Sequence, residues 1–207
     1  MSFELLAVCR NSGGVGKVAR DGKVVVGPAG LQGDIQAEPR YHGGPDQAIC
    51  CFAREDYEEL VRQEIGSSYP PGAFGENFST RGIDWSEVRL GQRFRSQSGL
   101  EIEISGPRVP CSKLTRFAKE LPGALHASGQ VGAYARVIVA EAACAGDAFV
   151  ASSDGASVSA PTLRFVHELL FSPAPEPGER RERIDRALAH PALYPRLRTI
   201  LEARRKG

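Results

Sequence analysis

The spacing of hydrophobic residues divides the chain into two parts near residue 151. In the first part, short apolar or alternating segments are separated by glycine-rich turns, a pattern typical of β-rich folds. One helix is predicted from Arg54 to Ile65, where apolar side chains recur at helical spacing with charges on the other side. Residues 1–152 are therefore expected to form one β-rich domain. The predicted strands are Phe3 to Cys9, Lys23 to Val26, Ala48 to Phe52, Gly99 to Ser105 and Ala133 to Val139.

The second part, residues 160–207, predicts a small helical unit. A linker rich in serine and glycine precedes three amphipathic pieces, PTLRFVHELLF, RRERIDRALAH and YPRLRTILEARRKG. Prolines at the joints between the pieces are typical of helix ends. A unit of this size rarely holds a stable core alone. We therefore expect it to pack on the first domain or on a second subunit, which leaves a homodimer open.

Charge and composition exclude several classes of protein. The chain has 26 basic and 25 acidic residues among 207, and this net charge of +1 gives no basic excess for a nucleic acid polymer. No apolar run approaches the roughly 20 residues that span a bilayer, so no membrane partner is expected. The N-terminal segment MSFELLAVCR carries an acid at Glu4 and does not resemble a signal peptide.

Cysteine usage indicates reduced thiols and a cytoplasmic location. The count is odd, and the sequence contains neither a CxxC pair nor a Cys/His series at zinc spacing, so a structural zinc is not expected. The cysteines are Cys9, Cys50, Cys51, Cys111 and Cys144.

Cys111 lies in the segment GPRVPCSKL, which has the features of a reactive thiol. Pro110 and Pro107 restrict the backbone on entry to the loop. Arg108 and Lys113 can lower the pKa of a thiol and bind an anion. The alternative is a half-buried cysteine at the end of a strand, flanked by two solvated cations, and the residues alone leave both interpretations open.

Two further segments carry candidate site residues. In YHGGPDQA, His42 precedes two glycines that allow close approach of a ligand; it could bind an anion or donate a proton, or simply cap a turn. In GAFGENF, Glu76 and Asn77 could line a pocket between Phe74 and Phe78, or cap a turn while the two rings fill the core.

One glycine-rich segment is set aside. GGVGK, which ends at Lys17, superficially resembles a phosphate-binding loop, but it lacks the full spacing and has Val18 where a serine or threonine should follow the lysine. We therefore reject a nucleotide-triphosphatase site there.

Taken in order, seven blocks resemble the MOSC family, named after the C-terminal domain of molybdenum cofactor sulfurases. The resemblance covers about residues 1–152, and the tail resembles the three-helix extension of a bacterial stand-alone subgroup associated with resistance to N-hydroxylated base analogues. The implied fold is mainly β: a closed, mostly antiparallel barrel with a few helices, plus a small C-terminal three-helix unit. The blocks are GLQGD, HGGPDQA, FGENF, LGQRFR, PRVPCSKL, GAYARV and AGDAF.

The resemblance also implies roles for individual residues. Cys111 matches the family cysteine that is a sulfur carrier or, in reductase members, the thiolate ligand of the molybdenum in the molybdopterin cofactor. Around it, Arg108, Lys113 and His42 would bind the cofactor anion or orient the substrate, and Glu76 and Asn77 would line the pocket. The chain departs from the usual pattern by placing glutamines at positions that are more often lysine, aspartate or arginine. These glutamines are Gln47, Gln92 and Gln130.

Three functions remain open from the sequence. The first is a molybdenum cofactor-dependent reductase of small N-hydroxylated substrates, which needs a partner redox protein because no flavin motif or iron–sulfur cysteine spacing is present. The second is a persulfide carrier served by a cysteine desulfurase, since no pyridoxal phosphate motif is recognisable and that cofactor is not expected in this chain. The third is a non-catalytic module that binds the molybdenum cofactor.

Overall fold

A computed structural model of the chain describes residues 1–11, 14–36, 43–154, 156–172 and 176–206. Within these ranges the helices are α1 (Arg54–Arg62), α2 (Leu121–Ser128), α3 (Leu163–Phe171), α4 (Pro177–Leu188) and α5 (Pro195–Lys206). The strands are β1 (Ser2–Arg10), β2 (Val18–Ala19), β3 (Val24–Gly27), β4 (Gly30–Leu31), β5 (Ile49–Ala53), β6 (Phe78–Arg81), β7 (Arg93–Ser96), β8 (Glu101–Pro107), β9 (Ala133–Val139), β10 (Glu141–Ala143) and β11 (Ala148–Ala151).

Seven of these described strands close into a ring. Their order is β11, β7, β8, β9, β5, β6 and β1, and the pairing of Phe3 with Phe149 joins β1 back to β11. Every neighbouring pair in the ring is antiparallel except β5 with β6, which is parallel. A closed ring leaves no exposed strand edge in the sheet. The predicted closed, mostly antiparallel barrel with a few helices is confirmed.

The interior of the barrel is filled by side chains that alternate along the strands. Ile102 and Ile104 of β8 are fully buried, as expected for the inward face of a strand with a period of two residues. The ring of Phe3 stacks on Phe149 with centroids 4.9 Å apart and meets Trp85 edge to face at 5.2 Å. This apolar centre holds the strands that carry the site residues in register.

Two helices differ from the sequence-based expectation. Helix α1 ends at Arg62 rather than near Ile65, because Glu64 adopts a left-handed conformation with φ of 58°. Helix α2 was not predicted, since Pro122 and Gly123 look like turn signals. In the structure Pro122 occupies the first turn of α2, where proline is tolerated because the N–H there has no helical partner.

The three C-terminal helices pack on the barrel. Leu163 and Val166 of α3, together with Leu197 and Leu201 of α5, belong to the same buried cluster as Ile104 of the barrel. A backbone hydrogen bond from Leu163 N to Val88 O, 2.8 Å long, joins the start of α3 to the loop before β7. The helices therefore pack on the first domain, one of the two expected arrangements, and contact with a second subunit stays a prediction. No helix in the described ranges is long and apolar enough to cross a membrane.

An arginine links the barrel to the segment between α4 and α5. Arg136 of β9 forms ion pairs with Glu103 of β8 and Asp46, both 2.7 Å long, and donates to the carbonyl oxygen of Ala192 at 2.9 Å. The same guanidinium therefore contacts strand β8, the loop before β5 and the segment that precedes α5. Because these three segments surround the site described below, Arg136 contributes to their relative placement.

The interface between α2 and α3 contains a histidine pair. His126 Nδ1 and His167 Nε2 are 3.2 Å apart and share a hydrogen bond. Burial lowers the pKa of His126, and burial followed by the proximity of His126 and Arg164 lowers the pKa of His167 to about 4. Both rings are therefore neutral in the folded protein at neutral pH.

This pair predicts acid sensitivity. Because the unfolded chain binds the proton of His167 more tightly than the folded protein does, stability present above about pH 6.5 should be lost as the pH falls towards 4. Between about pH 7 and pH 5, the proton binding of His167 should lower the free energy of unfolding by about 2 kcal/mol. Urea unfolding of wild type and His167→Gln at both pH values measures this loss. An equal pH dependence in the two proteins would contradict the assignment.

Candidate functional site

Cys111 lies in the short loop that follows strand β8 of the barrel. Strand β8 ends at Pro107, and a 3₁₀ helix over Ser112–Arg116 begins directly after the cysteine. Arg108 N donates to Gly132 O at 3.1 Å, and Leu114, which is fully buried, donates its N–H to Cys111 O at 3.1 Å. The backbone on both sides of Cys111 is thus fixed, while the cysteine itself remains partly exposed.

The cysteine lines a cavity at the end of the barrel. Three other predicted site residues, Asn77, Arg108 and Lys113, line the same cavity. His42 falls outside the described residues, so its predicted role stays a prediction. The remaining lining residues are Gly14, Val15, Lys17, Asp34, Ile35, Gln36, Gly43, Gln47, Cys50, Phe74, Gly75, Val109 and Tyr134.

Arg108 supplies a buried cation to the cavity. Its side chain is 5% exposed, and Nη2 donates to the carbonyl oxygen of Phe74 at 2.5 Å. Burial lowers the pKa of the guanidinium, but neighbouring groups, first Cys50 and then Tyr134, raise it by more, so the pKa lies above its ordinary value. Nη1 is buried and has no hydrogen-bond partner among the described residues. A buried donor without an acceptor is costly and indicates a place for an anionic or acceptor ligand.

A second polar group of the cavity is a nearly buried ion pair. Lys17 Nζ lies 2.5 Å from Asp34 Oδ2, and the two side chains are 8% and 7% exposed. Asn77 Nδ2 donates to the same Asp34 oxygen at 2.9 Å, and Asn77 Oδ1 accepts from Cys50 N at 3.1 Å. Asn77 therefore lines the cavity as predicted from the sequence and also ties the ion pair to strand β5.

Lys17 reaches the cavity because two glycine-rich loops cross. Lys17 N donates to Gly72 O at 2.8 Å, and Gly16 N donates to Ala73 O at 3.1 Å. A Cβ atom on Gly72 would lie 2.4 Å from Lys17 O, and Gly72 has φ of +85°, so this position requires glycine. The GGVGK segment, which carries no triphosphatase pattern, thus supplies a site residue that the sequence did not predict. The paired glycine-rich loops were the signal that could have revealed it.

Glu76 has a different position from Asn77. It is fully buried and is not among the residues that line the cavity. Its Oε1 accepts hydrogen bonds from Gly72 N at 2.6 Å, Ser79 Oγ at 2.7 Å and Tyr57 Oη at 2.8 Å. Tyr57 Oη in turn accepts from Phe74 N at 3.2 Å. Glu76 therefore positions the turn whose Phe74 carbonyl holds Arg108.

The other thiols near the site differ from Cys111 in accessibility. Cys50 also lines the cavity, but burial raises its pKa to about 11. Burial raises the pKa of Cys9 to about 12 and that of Cys51 well above its ordinary value. These three thiols are protonated at neutral pH and poor nucleophiles. Within the described cavity lining, Cys111 is the thiol that a reagent or ligand can reach.

The described residues hold no cluster of three or more His, Cys, Asp or Glu side chains that could bind a metal ion. A metal at Cys111 would consequently need further ligands from a bound group rather than from these side chains.

Comparison with known proteins assigns the family. The model of the MOSC domain matches residues 38–150, more than half of the chain. The chain belongs to the MOSC domain family. The matched range includes Asn77, Arg108 and Cys111 but neither Lys17 nor Asp34, so the ion pair at the cavity lies outside the family match.

Curated relatives align over part of their length. Protein YiiM of Escherichia coli strain K12 is 43% identical over 102 residues, which are 48% of this chain and 45% of the relative. A protein named "Reductase" from Gibberella moniliformis is 31% identical over 137 residues, 63% of this chain and 24% of the relative. The chain thus spans about half of the length of the first relative and a quarter of the second.

Solved structures extend the likeness to the whole chain. The crystal structure of YiiM from Escherichia coli superposes with a TM-score of 0.77 at 26% identity, covering 100% of this chain and 93% of that one. YiiM from Geobacillus stearothermophilus superposes with a TM-score of 0.81 at 23% identity, covering 98% and 99% of the two chains, a likeness that shows the fold. The predicted resemblance to a stand-alone bacterial MOSC subgroup with C-terminal helices is confirmed.

The hydrogen bonds of Glu76 generate a stability prediction. Glu76→Ala leaves the three buried donors on Tyr57, Gly72 and Ser79 without their acceptor, and we expect a loss of about 3 kcal/mol or more of unfolding free energy. Glu76→Gln keeps a carbonyl oxygen for the same donors and should lose less than half as much. Urea unfolding measures both. An alanine variant within about 1 kcal/mol of wild type would contradict the assigned role.

Proposed function

We propose that this MOSC domain protein binds the molybdenum cofactor in the cavity at Cys111 and reduces small N-hydroxylated compounds. The observation that carries the proposal is the combination of a reachable thiol and a buried cation with an unpaired donor in one cavity. The name "Reductase" of the Gibberella moniliformis relative supports the reaction class.

The residues present fit the cofactor. A cysteine thiolate is a soft ligand suited to a metal such as molybdenum. The cofactor is an anion, and Arg108 offers it the buried Nη1 that has no acceptor among the described residues. Lys113 lies at the same cavity two residues after Cys111. Lys17 is ion-paired with Asp34, so we assign it to fixing the cavity wall rather than to neutralising the cofactor.

The reaction sets what the protein must provide. Reduction of R–NHOH to R–NH₂ consumes two electrons and two protons and releases one water. The bound cofactor would supply the two-electron chemistry. The chain would hold that cofactor through Cys111 and Arg108 and present the substrate's N–O group beside it. The electrons would come from a partner redox protein, because the sequence has no flavin motif and no iron–sulfur cysteine spacing.

The exposure of Cys111 favours a second candidate, a persulfide carrier. A cysteine desulfurase would transfer the terminal sulfur of its own persulfide to the Cys111 thiolate, and the desulfurase cysteine would leave as a thiolate. The partly exposed thiol at the start of the 3₁₀ helix is accessible enough for such an exchange. This reaction needs no molybdenum on the chain, so metal content separates the two candidates.

Molybdenum content after purification from a cofactor-competent host tests the proposal. We expect wild type to carry the metal and Cys111→Ser to lose it about tenfold or more, because serine is a poor replacement for a thiolate ligand. Cys144→Ser is the matched control, since Cys144 is also partly exposed but pairs with Asp147 away from the cavity. Wild type without molybdenum, or Cys111→Ser with a full load, would refute the proposal.

Two further measurements separate the alternatives. Turnover of hydroxylaminopurine or an amidoxime with a reduced electron donor supports the reductase, whereas bound cofactor without turnover indicates a binding module. A mass increase of about 32 Da on Cys111 after incubation with a desulfurase and cysteine, in protein that binds no molybdenum, indicates the carrier.

A further inference from the structure

Cys111 lies at the meeting point of two cavities. Besides the cavity described above, it lines a second one of about 290 Å³. This volume is close to the lower end of small-molecule sites, about 300–1,000 Å³. The residues that line both cavities are Gln47, Val109, Cys111, Lys113 and Tyr134. The second cavity adds residues of the C-terminal unit, namely Tyr194, Arg196 and Ile200.

The C-terminal wall of this second cavity is fixed to the strand that leads to Cys111. Tyr194 N donates to Ser105 O at 3.0 Å, and Tyr194 Oη donates to Pro107 O at 3.3 Å. The Tyr194 ring lies so close to Gly106 that a Cβ atom there would be 2.6 Å from a ring carbon. Helix α5 begins at the next residue and is anchored by the fully buried Leu197. The cavity is therefore part of the packed structure and not a chance gap between two units.

The chemistry of the second cavity differs along its walls. Val109, Ile200 and the two tyrosine rings, whose centroids are 5.7 Å apart, form an apolar and aromatic surface. Burial raises the pKa of both phenols, so they stay neutral. Lys113 and Arg196 line this cavity, are exposed and carry positive charge. Such walls suit a flat group that carries an anionic substituent.

We propose that the second cavity is the substrate side of the site and that Arg196 selects N-hydroxylated substrates carrying an anionic group, such as the phosphate of a nucleotide. The inference rests on the proposed function, because Cys111 can present one face to the cofactor and receive the substrate from the other cavity. It assigns a role in specificity to helix α5, which lies outside the residues matched by the family model.

Alkylation of Cys111 in the cofactor-free protein tests the geometry without any turnover. Iodoacetate is an anion and iodoacetamide is neutral. Mass spectrometry follows the rate at which each reagent alkylates Cys111. The ratio of the iodoacetate rate to the iodoacetamide rate reports the positive potential along the path to the sulfur. We expect Arg196→Gln to lower this ratio about three- to tenfold, the size expected for one nearby charge in a largely aqueous setting. Arg181→Gln, which removes an exposed cation on α4 away from both cavities, should keep the wild-type ratio.

Blocking the cavity gives a second variant. Ile200→Trp should slow both reagents by filling the approach, whereas Val158→Trp adds the same bulk at a position that is 88% exposed and should leave both rates unchanged. An unchanged ratio in Arg196→Gln, or unchanged rates in Ile200→Trp, would overturn the inference.

The molybdenum-loaded protein tests the selectivity. We expect Arg196→Gln to reduce the preference in kcat/KM for the 5′-monophosphate of hydroxylaminopurine nucleoside over the free base about tenfold, mainly through KM, with molybdenum content as in wild type. An unchanged preference would overturn the inference. If the loaded protein reduces neither compound, the proposed function fails, and the alkylation ratio alone decides whether Arg196 controls access to Cys111.

Discussion

The buried guanidinium of Arg108 is the constraint around which the site is built. A charge that is almost excluded from solvent needs partners, and the structure gives it one good acceptor, the carbonyl oxygen of Phe74. That carbonyl is placed by a chain of hydrogen bonds through Tyr57 to Glu76, both of which lie outside the cavity lining. A second nitrogen of the guanidinium, Nη1, is buried and has no acceptor among the described residues. An incompletely paired cation in the same cavity as a reachable sulfur is a costly arrangement for stability alone, and this cost is what supports the proposed anionic ligand.

The site is assembled from segments that are far apart in the sequence. The loop at Lys17 crosses the loop at Gly72, the ion pair of Lys17 with Asp34 joins them to Asn77, and the cysteine loop closes the remaining side. Neither helix nor strand periodicity relates the residues that make these contacts. The barrel supplies the fixed frame, since its closed hydrogen bonding leaves the strand ends little freedom to shift relative to one another.

The parts that could be predicted from the sequence are those encoded locally. The alternation of Ile102 and Ile104 indicated a strand, and prolines and cations around Cys111 indicated a fixed, positively charged loop. Seven ordered blocks then indicated the family. Lys17 and Asp34 were not predicted, because only contacts between distant loops bring them to the cavity. Tyr134 was not predicted either, because the pairing of β9 with β5 and β8 places it there. Glu76 was expected in the pocket with Asn77, but neighbouring residues point in different directions, and the sequence does not show that three donors surround the Glu76 carboxylate.

The contact of Tyr194 with Gly106 and Pro107 has a consequence for how such proteins can be shortened or recombined. The aromatic ring covers a strand end that has no side chain of its own at Gly106, two residues before Arg108. A barrel excised from its helices would expose this backbone to water and loosen the entry to the cysteine loop. A shortened or grafted version of the barrel therefore requires another aromatic side chain to cover this point. The C-terminal helices are in this sense a structural part of the site.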